Sequence, residues 1–432
     1  MQDDNIGLSR RKVLVGLGAV GVASAGAGLG TTAYFSDEES FLGNTLTAGE
    51  LTLYVNYHAY ADQGEYLGEY LMEGIAGEGE SEVEHSFELD DVKPGDSGRK
   101  KFCFSVVDNP AYLWGCGMLT GEVAGTGGGQ LADYLTATLR YCPVEDSEPN
   151  GAPGEVVDGD VIVDGSFRDV LSALRNGVPL DANGDGEVPI EDRACFDGSE
   201  SLEDFQETCL CLDWEFPIRS RDPDAELDNN DAQAASMEFD LTFYAEQCRH
   251  NDGLTNPCVT TREGEGWGKA EGELENPSWH ARGIFGDGGG AANRELDIRD
   301  PGDDPIHTGD ENYAWPNGEA VPFSLTIDGG DAKWTVGGNE VMVEDAPLPV
   351  ADGVGVTVKT RDADASITVE DVTLNGSSPT GADSVSASGS SATNYLMLEG
   401  ATLQEGDVVS GLVTMSWNAT PGREDIGFRI DV

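Results

Sequence analysis

The run Asp181-Ala182-Asn183-Gly184-Asp185-Gly186-Glu187-Val188-Pro189-Ile190-Glu191-Asp192 puts oxygen-bearing side chains at the positions a calcium loop uses. Calcium is a hard cation that takes six to eight oxygens. Here Asp181, Asn183, Asp185 and Asp192 would offer side chains and Glu187 a carbonyl. Gly186 would take the sharp turn, and Val188 would point toward a core. Asp192 stands where the strongest calcium loops carry a bidentate Glu. A structural calcium ion that locks a long insertion is expected. The competing reading is a solvated acidic loop, since carboxylates are plentiful in this chain.

The eight cysteines, Cys103, Cys116, Cys142, Cys195, Cys209, Cys211, Cys248 and Cys258, form the second set. An even count in an exported protein reads as a disulfide framework. Cys209-Leu210-Cys211, if extended, points both thiols to one face, and such a pair takes different partners. Zinc is the competitor, but there is no CxxC and only His250 lies near. Catalysis has little support. The five histidines, His58, His85, His250, His280 and His307, form no HExxH, and neither a GxSxG elbow nor a P-loop occurs. The protein is therefore expected not to be an enzyme. Asn375-Gly376-Ser377 and Asn418-Ala419-Thr420 are glycosylation acceptors by motif. Trp267, Trp279, Trp315, Trp334 and Trp417 either fill a core or stack on sugar rings.

These residues need elements to position them, and the pattern is mainly β. Leu51, Leu53 and Val55 alternate, as do Phe102, Phe104 and Val106, and Met237, Phe239, Leu241 and Phe243. One helix interrupts: Phe167, Val170, Leu171 and Leu174 fall at i, i+3, i+4 and i+7, and Asn176-Gly177 closes it, just ahead of the calcium-loop candidate. Further on, Phe323, Leu325 and Ile327 alternate, Asp328-Gly329-Gly330-Asp331 turns the chain, and Trp334 and Val336 return it. Val354, Val356 and Val358, Ile367 and Val369, and Leu396 and Leu398 repeat the pattern. Two β-sandwich domains are expected, 34–258 with the helix and loop insertion, and 259–432. Residues 264–312 read as long surface loops, and 376–391 as a flexible loop or strand connection.

The N-terminus sets the location. Ser9-Arg10-Arg11-Lys12-Val13-Leu14 is a twin-arginine export signature, followed by a Gly/Ala-rich apolar run to Ala33. Weak hydrophobicity suits a removable signal, 1–33, better than a permanent anchor, and nothing later resembles a membrane span. The segment beyond it holds 79 acids against 21 bases, only six of them Lys. Such repulsion opposes compaction at ordinary ionic strength and fades in concentrated salt, where the screening length falls to about 3 Å. A halophile is the simplest source, and nucleic acid is excluded as a partner.

Tyr34-Phe35-Ser36-Asp37, then Asn44–Leu53, then Leu89-Asp90-Asp91-Val92-Lys93-Pro94-Gly95-Asp96 resembles, in order and spacing, the TasA/camelysin family of exported fibre-forming proteins. Phe243-Tyr244-Ala245-Glu246-Gln247-Cys248-Arg249-His250-Asn251 looks like the haloarchaeal version. The resemblance implies a jelly-roll-like domain that self-associates into extracellular filaments of a biofilm matrix, each freed N-terminal segment completing the sheet of the next subunit. The donor would be 33–46, with Tyr34, Phe35, Phe41 and Leu42 as apolar anchors. The same segment could instead pack in its own sandwich or stay disordered. The alternative function is a monomeric surface adhesin whose Trp-rich second domain binds surface glycans.

Overall fold

The period-two runs become strands, and four largely antiparallel sheets gather them. In this computed structural model the described residues are 51–64, 69–76, 89, 91–143, 159–199, 208–218, 227–274, 277–285, 295–302, 304–309, 312–349, 352–422 and 424–432. They belong to one compact unit, Gly49–Val432. In chain order the strands are β1 (Thr52–Asp62), β2 (Glu69–Ala76), β3 (Ser97–Val107), β4 (Ala111–Val123), β5 (Thr136–Pro143), β6 (Val161–Ser166), β7 (Val178–Leu180), β8 (Gly198–Ser199), β9 (Thr208–Glu215), β10 (Ser236–Gln247), β11 (Thr255–Glu265) and β12 (His280–Ile284). There follow β13 (Leu296–Arg299), β14 (Thr308–Gly309), β15 (Ala320–Asp328), β16 (Asp331–Val336), β17 (Asn339–Val343), β18 (Val354–Thr360), β19 (Ala365–Leu374), β20 (Ser378–Thr380), β21 (Val385–Ser388), β22 (Ala392–Glu399), β23 (Val408–Trp417) and β24 (Ile426–Asp431). The helices are α1 (Leu131–Tyr134), α2 (Phe167–Asn176) and α3 (Lys269–Glu273).

The first sheet runs β2-β1-β3-β9-β5-β6, with β8 beside β3, and the second runs β10-β4-β7. Between them Phe102, Phe104, Val106, Leu113, Leu139, Leu210 and Leu212 form one core. Helix α2 adds Phe167, Val170, Leu171 and Leu174 to it, the four positions its periodicity predicts. Ser166 and Asp169 close a capping box at its start, and Gly177 (φ 85°) ends it.

The third sheet runs β13-β12-β24-β18-β22-β11-β20 and the fourth β14-β17-β16-β15-β23-β19-β21. Val354, Val356, Val358, Phe428 and Ile430 from the third meet Phe323, Leu325, Trp334, Ile367 and Val369 from the fourth. The Asp328–Asp331 turn is a two-residue hairpin in which Gly329 (φ 66°) and Gly330 (φ 80°) take left-handed backbone. The chain is thus mainly β, with two sheet pairs each enclosing a core in the manner of a β-sandwich.

Residues 264–312 are not simply surface loops. They contain α3, β12, β13 and β14, and β12 pairs with the C-terminal strand β24. Period two was masked there because the face away from the core is also buried and carries Arg282, Glu295 and Asp297. The 376–391 stretch holds the short strands β20 and β21. Strand β11 spans 258/259 and belongs to the third sheet.

All eight cysteines pair: Cys103–Cys209, Cys116–Cys258, Cys142–Cys211 and Cys195–Cys248. Cys209 and Cys211 do take different partners, on neighbouring strands to either side of β9. Cys116–Cys258 ties β4 to β11. A polar joint reinforces that tie. The amide of Asn176, 2 % exposed at the end of α2, donates to Thr402 O (2.8 Å) and Asp407 Oδ2 (2.7 Å), and its oxygen accepts from Thr402 N. Asn375 Nδ2 donates to the other Asp407 oxygen (2.7 Å). Among the described residues no helix is long and apolar enough to cross a membrane.

Candidate functional site

The first sandwich is lopsided. Its second sheet has three strands facing a wider first sheet, and β10 is an edge. All 12 residues of β10 register against β4, and no other described strand pairs with β10. Along β10 the inward side chains Phe239, Leu241 and Phe243 are only half-buried, although each packs on the core. Phe243 lies 5.0 Å from Phe102 and 5.0 Å from Phe104, which puts β10 over β3. The first sheet continues past β3 into β1 and β2. There Leu53 and Val55 of β1 are likewise half-buried. Among the described residues, β10 is thus paired on one side only and lies beside partly exposed apolar side chains. Free edges of this length and apolarity are what extended peptides pair with.

Lys100 gives this region a charge. It shares a face of β3 with Phe102, and its ammonium stands 5.4 Å from the Phe102 ring and 5.7 Å from the Tyr57 ring. No carboxylate reaches it among the described residues. Burial pulls its pKa below the ordinary lysine value. A half-buried cation without a counter-charge is unusual in a chain with 81 acids and 24 bases.

The 181–192 loop lies across the same sandwich. Asp181 is 1 % exposed and acts as a hydrogen-bond hub. Its Oδ2 accepts from Asn183 N (3.0 Å) and Asp185 N (3.3 Å), and its Oδ1 from Ala194 N (2.5 Å). Asp181 N donates to Tyr141 Oη (2.6 Å), and burial pushes that hydroxyl well above the ordinary tyrosine range. Asp185 Oδ1 accepts from Glu187 N (2.9 Å). The left-handed turn residue is Gly184 (φ 76°) rather than Gly186. Gly186 is needed for another reason: a Cβ there would stand 2.5 Å from Val161 O. Asp192 ends a short 3-10 turn, Ile190–Asp192, and is exposed. Among the described residues no group of three or more His, Cys, Asp or Glu side chains is placed to hold a metal ion.

Arg193, which sequence reasoning passed over, pins the end of this loop. It is buried, donates to Leu113 O (2.9 Å) and Gly253 O (2.5 Å), and stands 4.6 Å from the Trp114 ring. Burial lowers its pKa to about 10. Its only sequence signal is an Arg in an acidic loop, which says nothing of the distant strand it reaches.

The other candidates separate clearly. Asn418 is exposed in the turn after β23; Asn375 is exposed too, but its amide nitrogen donates to Asp407 and its sequon partner Ser377 is buried. Of the second-half tryptophans, Trp279, Trp315 and Trp334 are core residues. Trp417, half-buried, packs on Phe285, and Trp267, also half-buried, packs on Lys359 and Arg429. Arg10, Arg11, Tyr34, Phe35, Phe41 and Leu42 lie outside the described residues. No protein-family model matches the chain, and no curated protein matches it either.

Proposed function

We propose that the protein is an exported structural subunit of extracellular filaments or biofilm matrix, assembled when the N-terminal segment of one copy adds as a strand to the β10 edge of the next. The observation that carries this reading is the edge itself: among the described residues, the 12 residues of β10 pair on one side only, with three half-buried apolar side chains beneath them. An added strand would satisfy the free N–H and C=O groups and finish covering Phe239, Leu241 and Phe243, at roughly 1 kcal/mol for each ring or chain covered. The 33–46 segment fits in composition. Tyr34 and Phe35 lead, Phe41 and Leu42 follow, and between them Asp37, Glu38 and Glu39 offer carboxylates to Lys100. The twin-arginine signature supports export. Four disulfides suit an oxidising compartment. A calcium ion on Asp181, Asn183, Asp185, Glu187 and Asp192 is supported by the loop's spacing and would stiffen the insertion.

The test is sedimentation of the mature chain in molar salt against the same chain lacking residues 34–46. Concentration-dependent assembly by the first and a monodisperse second are expected. Equal assembly by both would overturn the donor role of the segment.

A further inference from the structure

The two N-x-S/T sequences sit in turns of opposite character. Asn375 follows β19 with left-handed backbone (φ 53°), and both ends of its amide are in use. Its Nδ2 donates to Asp407 Oδ1 (2.7 Å), and its Oδ1 accepts from Val408 N (2.9 Å). Ser377, two residues on, is 3 % exposed. Its hydroxyl donates to Leu374 O (2.7 Å) and accepts from Asn256 Nδ2 (3.3 Å). The Asp407 carboxylate beneath Asn375 also holds Asn176, so this turn is built into the joint between the two sheet pairs.

Asn418 stands in a different setting. The backbone before it is tied down: Trp417 N donates to Asn317 Oδ1 (3.0 Å), and Trp417 O accepts from Asn317 Nδ2 (2.9 Å). Asn418 N itself donates to Asp364 O (3.2 Å). Pro421 is buried and anchors the other end of the turn. Between these ties Asn418, Ala419 and Thr420 are all exposed. The side chains of Asn418 and Thr420 have no hydrogen-bond partner among the described residues.

N-glycosylation joins a sugar to the amide nitrogen of an Asn in this motif, on a surface loop of an exported protein. The transferase must reach that nitrogen and the hydroxyl two residues on. Asn418 and Thr420 present both on a turn held at its two ends. At Asn375 the hydroxyl is buried and the amide is committed to the joint, and freeing them would strand buried polar groups. We infer that Asn418 is an N-glycosylation site of this protein and that Asn375, despite the same motif, is not. The inference rests on the export reading above. The co-reactant is an oligosaccharide carried on a lipid phosphate. Asn418 Nδ2 bonds to the anomeric carbon, the bond from that carbon to the phosphate oxygen breaks, and the amide gives up one proton. Nothing is oxidised or reduced.

The test is peptide mapping by mass spectrometry of the protein purified from the organism that makes it, with its N-terminus sequenced in parallel. The peptide carrying Asn418 is expected to be heavier by whole sugar residues, and the peptide carrying Asn375 to keep its unmodified mass. Made in the same organism, Asn418→Gln and Thr420→Ala are expected to lose the added mass, and Thr420→Ser to keep it. An exported, processed chain with Asn418 bare, or with sugar on Asn375, would overturn the inference and leave the export reading standing. A chain kept inside the cell with residues 1–33 attached and Asn418 bare would overturn both.

Discussion

Asp181 and Lys100 show how much single side chains carry. The Asp181 carboxylate accepts three backbone N–H groups in a buried place, so removing it strands donors that cost about 1 kcal/mol each or more. Asp181→Ala is therefore expected to destabilise the protein by about 3 kcal/mol in urea unfolding. A loss below about 1 kcal/mol would mean that water replaces the carboxylate. Under the calcium proposal, added calcium raises the unfolding midpoint of the wild type and leaves that of Asp181→Ala unmoved. At Lys100 the effect falls on assembly. Lys100→Glu places a carboxylate where the acidic 37–39 run would dock, and it is expected to slow assembly sharply while leaving far-UV circular dichroism unchanged. Assembly at the wild-type rate would remove Lys100 from the interface.

At the scale of elements, the outer face of the third sheet makes stability depend on acid. Burial alone would raise the Asp297 pKa, but hydrogen bonds and charge from Arg282 and Arg299 outweigh it and hold the group below the ordinary aspartate value. The native state then binds fewer protons than the unfolded chain between those two values. Asp297 thus contributes stability above the unfolded aspartate pKa of about 3.9, and that contribution is lost as pH falls through the lower folded value. Asp297→Asn is expected to be less stable at neutral pH and to show a flatter acid limb than the wild type. An unchanged acid limb would place the coupling elsewhere. The Cys116–Cys258 bridge closes a separation of 142 residues, and chain entropy puts its contribution at about 4–5 kcal/mol. Replacing both with Ala should lower the unfolding midpoint accordingly, and retained stability would mean that the Asn176–Asp407 joint suffices.

Strands were readable from the chain wherever one face meets a core and the other meets water, as at Phe323–Ile327 or Phe102–Val106. They were hidden where both faces are buried, because Arg282, Asp297 and Arg299 break the apolar alternation that defines a strand in sequence. Helix α2 was readable to its last residue, since its four core positions and its closing glycine all lie within one short stretch. Cysteine pairing was not, because the partners are 53 to 142 residues apart and only strand order brings them together. The β10 edge was invisible for the same reason: alternation marks a strand but not whether both its sides are paired.

Among the described residues, two sheet pairs are joined by a disulfide and a buried amide–carboxylate joint, and the long strand β10 of the first is paired on one side only. A chain of this acidity gains from assembly only if its contacts are made by backbone pairing and apolar cover, which salt does not screen. That is what the β10 edge offers. The most direct test is electron microscopy of the mature protein, begun at Tyr34 and compared with a chain begun at Thr47, both in molar salt. The account predicts filaments with a regular axial repeat for the first and separate particles for the second. Separate particles from both at every concentration, or filaments from both, would contradict it.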